Sequence, residues 1–288
     1  MAPAWVARRA RCYTSVAVPQ LIPIVDPADP RVEPYRDIRE RDLVGRRGLF
    51  VAEGVVVLEK LVESATHRAA SLLIADKRVK ALVPLLARLP ADTPVYLAAP
   101  RVLDAIAGFP LHRGVLAIGQ RGADLPAEAL LGSATPPRDL LLLSGIANHD
   151  NMGGIFRNAA AFGVGAVLLD ADCCDPLYRK AIRVSVGAAL TVPFARLGRD
   201  EDALALLARF GVEAVALSPA GATALPAWQP APRSAVLLGA EGPGLAPALM
   251  ARARTLRIAM AAGFDSLNVA TTSGIVLHHL ATARAGGA

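Results

Sequence analysis

The sequence predicts an α/β protein built as two domains, and three features of the chain predict it. Short apolar runs of strand length alternate with stretches of helical spacing from residue 31 onward, which implies sheets flanked by helices. A Pro- and Gly-rich stretch over 122–138, with Pro126, Gly132, Ser133, Pro136 and Pro137, interrupts that alternation. Beyond it, three polar or Gly-rich segments each follow an apolar run, the position at which open parallel sheets hold ligands.

The first 30 residues read as a basic, flexible extension. Arg8, Arg9 and Arg11 precede the first acid, Asp26, and neither a long apolar core nor a small-residue cleavage pattern follows them. A small α/β domain then occupies 31–121. Mixed charges at Arg36, Asp37, Arg39, Glu40, Arg41 and Asp42 predict a solvated first helix, after which 49–52 turns apolar. Val55, Leu58 and Val62 stand at helical spacing over 55–62. A strand over 71–75, a helix over 79–89, a strand over 95–98, a helix over 101–107 and a strand over 114–119 complete this domain.

The stretch 122–138 reads as a linker, and the second domain spans 139–288. It opens on the continuous apolar run 140–143, the pattern of a strand buried on both faces. A helix over 152–162, strands over 164–169, 212–217, 235–238 and 256–260, and a closing helix over 267–283 predict a parallel sheet.

Composition narrows the class further. With 53% hydrophobic and 19% charged residues in a chain of 288, a disordered or collagen-like protein is excluded and a substantial core is possible. The apolar runs are strand-sized, far below the roughly 18 to 20 residues of a membrane-spanning helix. The net charge of +6 is carried mostly by arginine, since Lys60, Lys77, Lys80 and Lys180 are the only lysines. Arginine suits bidentate phosphate contacts, but a GC-rich coding sequence would also supply it, so charge alone argues weakly for a nucleic-acid partner. Cys12, Cys173 and Cys174 form neither an even disulfide framework nor a CxxC pair, which fits a reduced, cytoplasmic setting.

The chain has no GxGxxG fingerprint, Walker A sequence, HExxH, GxSxG elbow or EF-hand loop. Its chemistry must therefore lie in the three segments. The first runs from Asn148 to Ala159, with Asn151 as the expected N-cap of a helix starting near Met152 and Arg157 about two turns along. Gly153 and Gly154 would admit a close approach by another backbone or a substrate. The second is Gly239-Ala240-Glu241-Gly242-Pro243-Gly244, whose glycines and proline force an irregular loop with exposed backbone groups and one fixed acceptor, Glu241. In the third, from Ile258 to Ala270, Ser266 reads as an N-cap. Asn268 then falls in the first helical turn, a poor place for Asn unless its side chain has a partner. Taken singly, each segment could be an ordinary cap or turn.

Together they resemble, in order and spacing, the three motifs of the SpoU (TrmH-like) RNA ribose methyltransferases of the SPOUT superfamily. Asp175, Pro176, Lys180, Arg183, Ser185, Gly187 and Ala188 resemble that family's connecting segment, so the likeness runs over about 140–280. Phe50, Glu53 and Gly54, with 114–117, are similar to the L30e-like substrate-binding domain often fused ahead of it, and this match is the weaker one. Thr271 and Thr272 depart from the pattern, standing where small apolar residues or Ser are more usual and where packing under the cofactor would feel them.

The resemblance implies S-adenosylmethionine as cofactor, a structured RNA (rRNA or tRNA) as substrate and a ribose 2′-hydroxyl as methyl acceptor. It also implies a C-terminal trefoil knot, which apolar periodicity would not reveal, and a homodimer whose pocket is completed across the interface. Arg157 would contact the attacking ribose or an adjoining phosphate, and Asn151, Glu241, Ser266 and Asn268 would orient it and shape the pocket. Cofactor contact, mainly through the backbone, falls to Gly239, Ile258 and Leu267, with Leu238, Gly242 and Met260 as neighbours. Ile275, Val276 and Leu280 of the last helix are compatible with a dimer face, and His278-His279 reads as helix surface and core with no metal implied. Two other readings stay open: a non-catalytic RNA-binding protein that keeps the knot as a scaffold, and a SPOUT enzyme that methylates a base nitrogen.

Overall fold

In a computed structural model that describes residues 19–36, 48–111, 113–263 and 266–286, the apolar runs become strands of two separate sheets. Of the helix expected over 36–42, Arg36 has extended backbone, and the rest lies outside the described residues, as do Arg8, Arg9 and Arg11 of the N-terminal extension.

The first unit holds the described residues up to Gly122 together with Leu177–Arg183. Its five-stranded sheet joins β1 (Leu21–Ile24), β2 (Leu49–Glu53), β3 (Arg68–Ala75), β4 (Val95–Ala98) and β5 (Val115–Gln120) in the order β1-β4-β3-β5-β2. β1, β4 and β3 run parallel, and β5 is antiparallel to both β3 and β2. Helices α1 (Val55–Glu63), α2 (Val79–Leu86) and α3 (Pro100–Ala107) flank this sheet, and α1 buries Val57, Leu58 and Leu61. Strand β1 corrects the expectation of a flexible extension through residue 30. Leu21 pairs with Val95, and Ile24 is buried. Four residues interrupted by Pro23 carry no strand signal of their own; an edge position tolerates the proline, and pairing with buried β4 supplies the order.

The second unit comprises Ala123–Pro176 and Val184–Ala288. Strands β6 (Asp139–Ser144), β7 (Ala166–Leu169), β8 (Phe194–Arg196), β9 (Glu213–Leu217), β10 (Thr223–Ala224), β11 (Ser234–Gly239) and β12 (Arg254–Arg257) form a seven-stranded sheet in the order β10-β12-β9-β11-β6-β7-β8. Every pairing is parallel. The sheet is accompanied by helices α4 (Ala127–Leu131), α5 (His149–Ala161), α7 (Ala203–Arg209), α8 (Pro247–Met250) and α9 (Val269–Ala285), while all of α6 (Arg179–Val184) but its last residue groups with the first unit. Residue by residue, 140–143 and 235–238 are buried, as continuous apolar strands in the middle of a covered parallel sheet must be.

The stretch expected as a linker is part of this second unit. Ala127 and Leu131 of α4 enter its core, and Arg233 donates to the carbonyls of Leu131 (3.0 Å), Pro137 (3.0 Å) and Phe210 (2.8 Å). Pro and Gly marked the turns on either side of α4, not a free tether. Residues 177–183 also depart from a continuous second domain, since they group with the first unit. At the far end of the chain, Arg284 of α9 donates to Asp139 at 2.9 Å with both side chains largely buried, tying the last helix to the start of β6.

Candidate functional site

The C-terminal ends of β6, β11 and β12 lead into the three polar segments, because all strands of the sheet point the same way. After β6 the chain turns into α5. Asn148, not Asn151, is the N-cap: its Oδ1 accepts from the backbone N–H of Asp150 (2.8 Å) and of Asn151 (3.4 Å). Helix α5 thus begins three residues earlier than the sequence suggests, and Asn151 lies in its first turn. Only 5% of Asn151 is exposed, which makes it one of few buried polar residues.

The cap of α9 is likewise displaced. Asn268 caps it, with Oδ1 accepting from the N–H of Ala270 (2.9 Å) and Thr271 (3.2 Å). Ser266 is exposed two residues earlier. The misassignment has a physical origin: Ser and Asn are both strong caps, and only the turn of the chain decides which of them leaves the helix. With its oxygen used by the cap, Asn268 has two amide hydrogens left. One goes to Asn151 Oδ1 at 2.8 Å and the other to Glu241 Oε1 at 3.1 Å. Every hydrogen-bonding hydrogen of this amide is therefore spent, and the amide cannot flip without turning its oxygen toward a carboxylate. One residue of the third segment so joins the first and the second.

Glu241 reaches that position on a loop that doubles back. Ala240 and Gly244 form a bridge, and Gly244 N–H donates to Ala240 O at 3.0 Å. A Cβ at Gly239 would lie 2.4 Å from the carbonyl carbon of Gly244, so a side chain there is incompatible with the fold-back. Glu241, Gly242, Pro243 and Gly244 are all exposed.

Helices α5 and α9 cross tightly beneath the site. A Cβ at Gly154 would lie 2.7 Å from the Ala270 Cβ, so this glycine serves helix packing instead of substrate approach. Asn158 Nδ2 donates to Ala270 O (2.8 Å) and to the fully buried Ser273 (2.9 Å). Asn151, Gly154 and Asn158 follow one another at i, i+3 and i+7, one face of a helix. That spacing is readable in the sequence, and it would have found Asn158, which motif matching passed over.

The remaining residues singled out by sequence are spread around this hub. Arg157 is exposed, and no hydrogen bond or ion pair holds it among the described residues. Six residues beyond Asn151, it points about 240° around the helix from it, off the face that packs on α9. Leu238 is buried and Gly239 half-buried at the end of β11. Strand β12 stops at Arg257, so Ile258 and Met260 are loop residues and not strand; both are half-buried. Register puts Leu256 beside Leu217 and Ala216 beside Leu237, so Ile258 emerges near the level of Ala240. Leu267 is 42% exposed beside the cap. Of the expected dimer-face residues, Val276 and Leu280 are buried within the unit, and only Ile275 is exposed.

A second polar network supports the loop after β6. Asp170, at the end of β7, accepts from the N–H of Gly145 at 2.9 Å and of Asp172 and Cys173 at 3.0 Å. Burial pushes its carboxyl upward, but these donors, with Ser144 and the Cys173 thiol, together hold it below the usual carboxylate range. Cys173 itself is pushed up to about 12 by burial and then by the Asp170 charge, and Cys174 up to about 11 by burial and Asp175. Neither thiol is a nucleophile near neutral pH. Among the described residues no group of His, Cys, Asp and Glu could hold a metal ion.

A parallel α/β sheet that gathers three polar loops at its strand ends, tied by one side-chain amide, defines a ligand-binding α/β domain without a metal-ligand cluster among its described residues. Comparison with known proteins makes the class specific. Residues 139–278 match the SpoU rRNA methylase family model. An uncharacterised tRNA/rRNA methyltransferase of Mycobacterium bovis is 40% identical over 264 residues, which span 88% of this chain and 90% of that protein. Among solved structures, the AdoMet-bound rRNA methyltransferase from Sinorhizobium meliloti superposes with a TM-score of 0.75 at 22% identity, over 92% of this chain and 98% of that one. An RNA 2′-O ribose methyltransferase superposes with a TM-score of 0.71 at 22% identity, over 92% and 100%. These two likenesses are of fold. The chain belongs to the SpoU methylase family.

Proposed function

We propose that this protein is an S-adenosylmethionine-dependent methyltransferase acting on a ribose 2′-hydroxyl of structured RNA, either rRNA or tRNA. One observation carries the reading: the Asn268 amide draws the three segments into a single site at 2.8 and 3.1 Å. Family membership supports the transferase reading. The names of the two structural neighbours, one AdoMet-bound and one a ribose 2′-O enzyme, agree with the cofactor and the acceptor.

The residues present fit the cofactor. Exposed Leu267 and half-buried Ile258 and Met260 offer apolar contact to a flat heterocycle. Gly239, Gly242 and buried Leu238 place backbone groups and no bulky side chain at the end of β11. When bound, the cofactor supplies a methyl group on a positively charged sulfur. The chain's part is to hold the acceptor ribose in line and to ease loss of its hydroxyl proton. Arg157, held by no hydrogen bond or ion pair among the described residues, takes the ribose or a neighbouring phosphate and stabilises developing negative charge; an arginine is too weak a base to do more. Asn151, Glu241, Ser266 and Asn268 shape the wall opposite.

This reading includes a trefoil knot in the C-terminal part of the chain and an L30e-like first unit that binds RNA. It also includes a homodimer. Exposed Val186, Leu267 and Ile275 supply apolar surface for one, and the direction of Arg157, away from Asn151 on α5, suits a pocket completed by a second copy. Free Cys173 and Cys174 fit a reducing cytoplasm, and no described helix is long and apolar enough to cross a membrane.

The deciding experiment is transfer of a radiolabelled methyl group to RNA followed by alkaline hydrolysis. Alkali cleaves RNA through the free 2′-hydroxyl, so label on the ribose returns in alkali-resistant dinucleotides. Label recovered only in mononucleotides would place the methyl on a base and overturn the ribose assignment.

A further inference from the structure

The first unit contains two adjoining cavities that methyl transfer does not use. One, of 520 Å³, is lined by Lys77, Arg78, Asp104, Pro110, Leu111 and Gly114, among others. The second, of 350 Å³, is lined by Glu53, Phe109, Pro110, Arg113, Arg179 and Arg183. Pro110 walls both, so the two read as one groove. Each volume lies in the range of about 300 to 1,000 Å³ found for ligand sites.

Charge along this groove is unbalanced in a particular way. Both of its acids are already engaged. Glu53 accepts from Arg179 Nε (3.1 Å) and Nη2 (2.6 Å) with both side chains largely buried, and Asp104 accepts from the N–H of Leu111 at 2.7 Å. The same Arg179 guanidinium lies 4.5 Å over the Phe109 ring, which fixes it as floor. Lys77, Arg78, Arg113 and Arg183 remain as exposed cations, and no hydrogen bond or ion pair among the described residues holds the three arginines. Two of their stems are nevertheless seated. A Cβ at Gly54 would lie 2.9 Å from Arg113 Cδ, and one at Gly114 would lie 3.6 Å from Arg78 Cγ, so each stem rests on bare glycine backbone.

We propose that these cavities form a phosphodiester-binding groove for the RNA backbone, in which Arg78, Arg113 and Arg183, helped by Lys77, take successive phosphates above the Arg179–Phe109 floor. The proposal rests on the reading of this protein as an RNA enzyme. Planar guanidinium forks match phosphate oxygens bidentately, and cations distributed along two joined cavities suit a chain of phosphates better than a single anion.

The test uses the full chain and labelled bulk transfer RNA, with fluorescence anisotropy across a salt series. Arg78→Ala with Arg113→Ala should weaken binding about tenfold or more and shrink the slope of log K against log salt by about 1 to 2. Arg78→Lys with Arg113→Lys should restore most of the slope. Lys60→Ala, which removes a cation paired with Glu63 at 2.8 Å elsewhere on the unit, should leave affinity and slope unchanged. AMP should fail to compete at concentrations where unlabelled transfer RNA succeeds. Unchanged affinity and slope in the double alanine variant, or competition by AMP as effective as by RNA, would overturn the groove. The two proposals fail separately: RNA binding through these arginines without methyl transfer sinks the activity and leaves the groove, whereas methyl transfer with binding indifferent to them does the reverse.

Discussion

Asn268 donates from Nδ2 to Asn151 Oδ1 at 2.8 Å, across 117 residues of sequence. The same side chain caps α9 with its oxygen, so one residue both starts a helix and assembles a site. These two tasks use different atoms and can be separated. Asn268→Asp keeps the capping oxygen, loses the two donated hydrogens and sets a carboxylate against Glu241. The lost partner of buried Asn151 and the facing carboxylates should cost about 1 to 3 kcal/mol of stability, while methyl transfer falls at least about tenfold in the folded protein, the order expected when an orienting contact is lost. Asn268→Ala should in addition lose about 1 kcal/mol of cap stability. Retained activity in the Asp variant would mean that the amide only builds the helix.

Arg157→Ala should abolish methyl transfer and leave cofactor affinity, measured by calorimetry, within a few-fold of the parent. Mixing this variant with Asn268→Asp checks how Arg157 is supplied. If it serves the partner's pocket, half of randomly reassorted dimers regain one intact site, about a quarter of full activity. No recovery on mixing would place Arg157 in its own protomer's pocket.

Gly154→Ala pits two effects against each other. Alanine gains roughly 0.5 to 1 kcal/mol over glycine within a helix. Its methyl would sit 2.7 Å from the Ala270 Cβ, and forcing the helices apart costs about 1 to 3 kcal/mol. A net loss in denaturant midpoint is expected. Pairing it with Ala270→Gly should recover part of that loss through a favourable coupling in a double-mutant cycle.

Asp170 makes stability depend on acid pH with a definite sign. Its carboxyl titrates lower in the folded state than the usual 3.8, so its stabilisation is fully present above that value and is lost as pH falls through the lower folded one. Asp170→Asn should therefore be less stable than the parent by a constant amount from about pH 5 to 8, with the gap closing below about pH 4. A gap that widens in acid would contradict the arrangement of donors around this carboxylate.

Cys173 and Cys174, raised to about 12 and about 11, should resist iodoacetamide at pH 8 in the folded protein and react once it is unfolded in denaturant. Mass spectrometry of the modified peptide distinguishes the two states. Rapid native labelling would show that the burial around β7 opens freely.

What the amino-acid sequence determined by itself was the local pattern and the chemistry. Continuous apolar runs such as 140–143 and 235–238 announce central parallel strands, because burial on both faces leaves no polar position. The loop 239–244 and the Asn-rich helix starts stood out because strand ends require few polar residues, so their presence points to a site. Tertiary structure decided what depends on partners far along the chain. Asn148 and Asn268 won the caps over Asn151 and Ser266, Leu21–Ile24 became a strand only against β4, and 123–138 joined the core through Ala127, Leu131 and the bonds from Arg233. Arg157 could be chosen by motif, but its direction follows from which face of α5 must pack on α9. Periodicity reports how a segment meets its surroundings, and hydrogen bonds between segments report which surroundings those are.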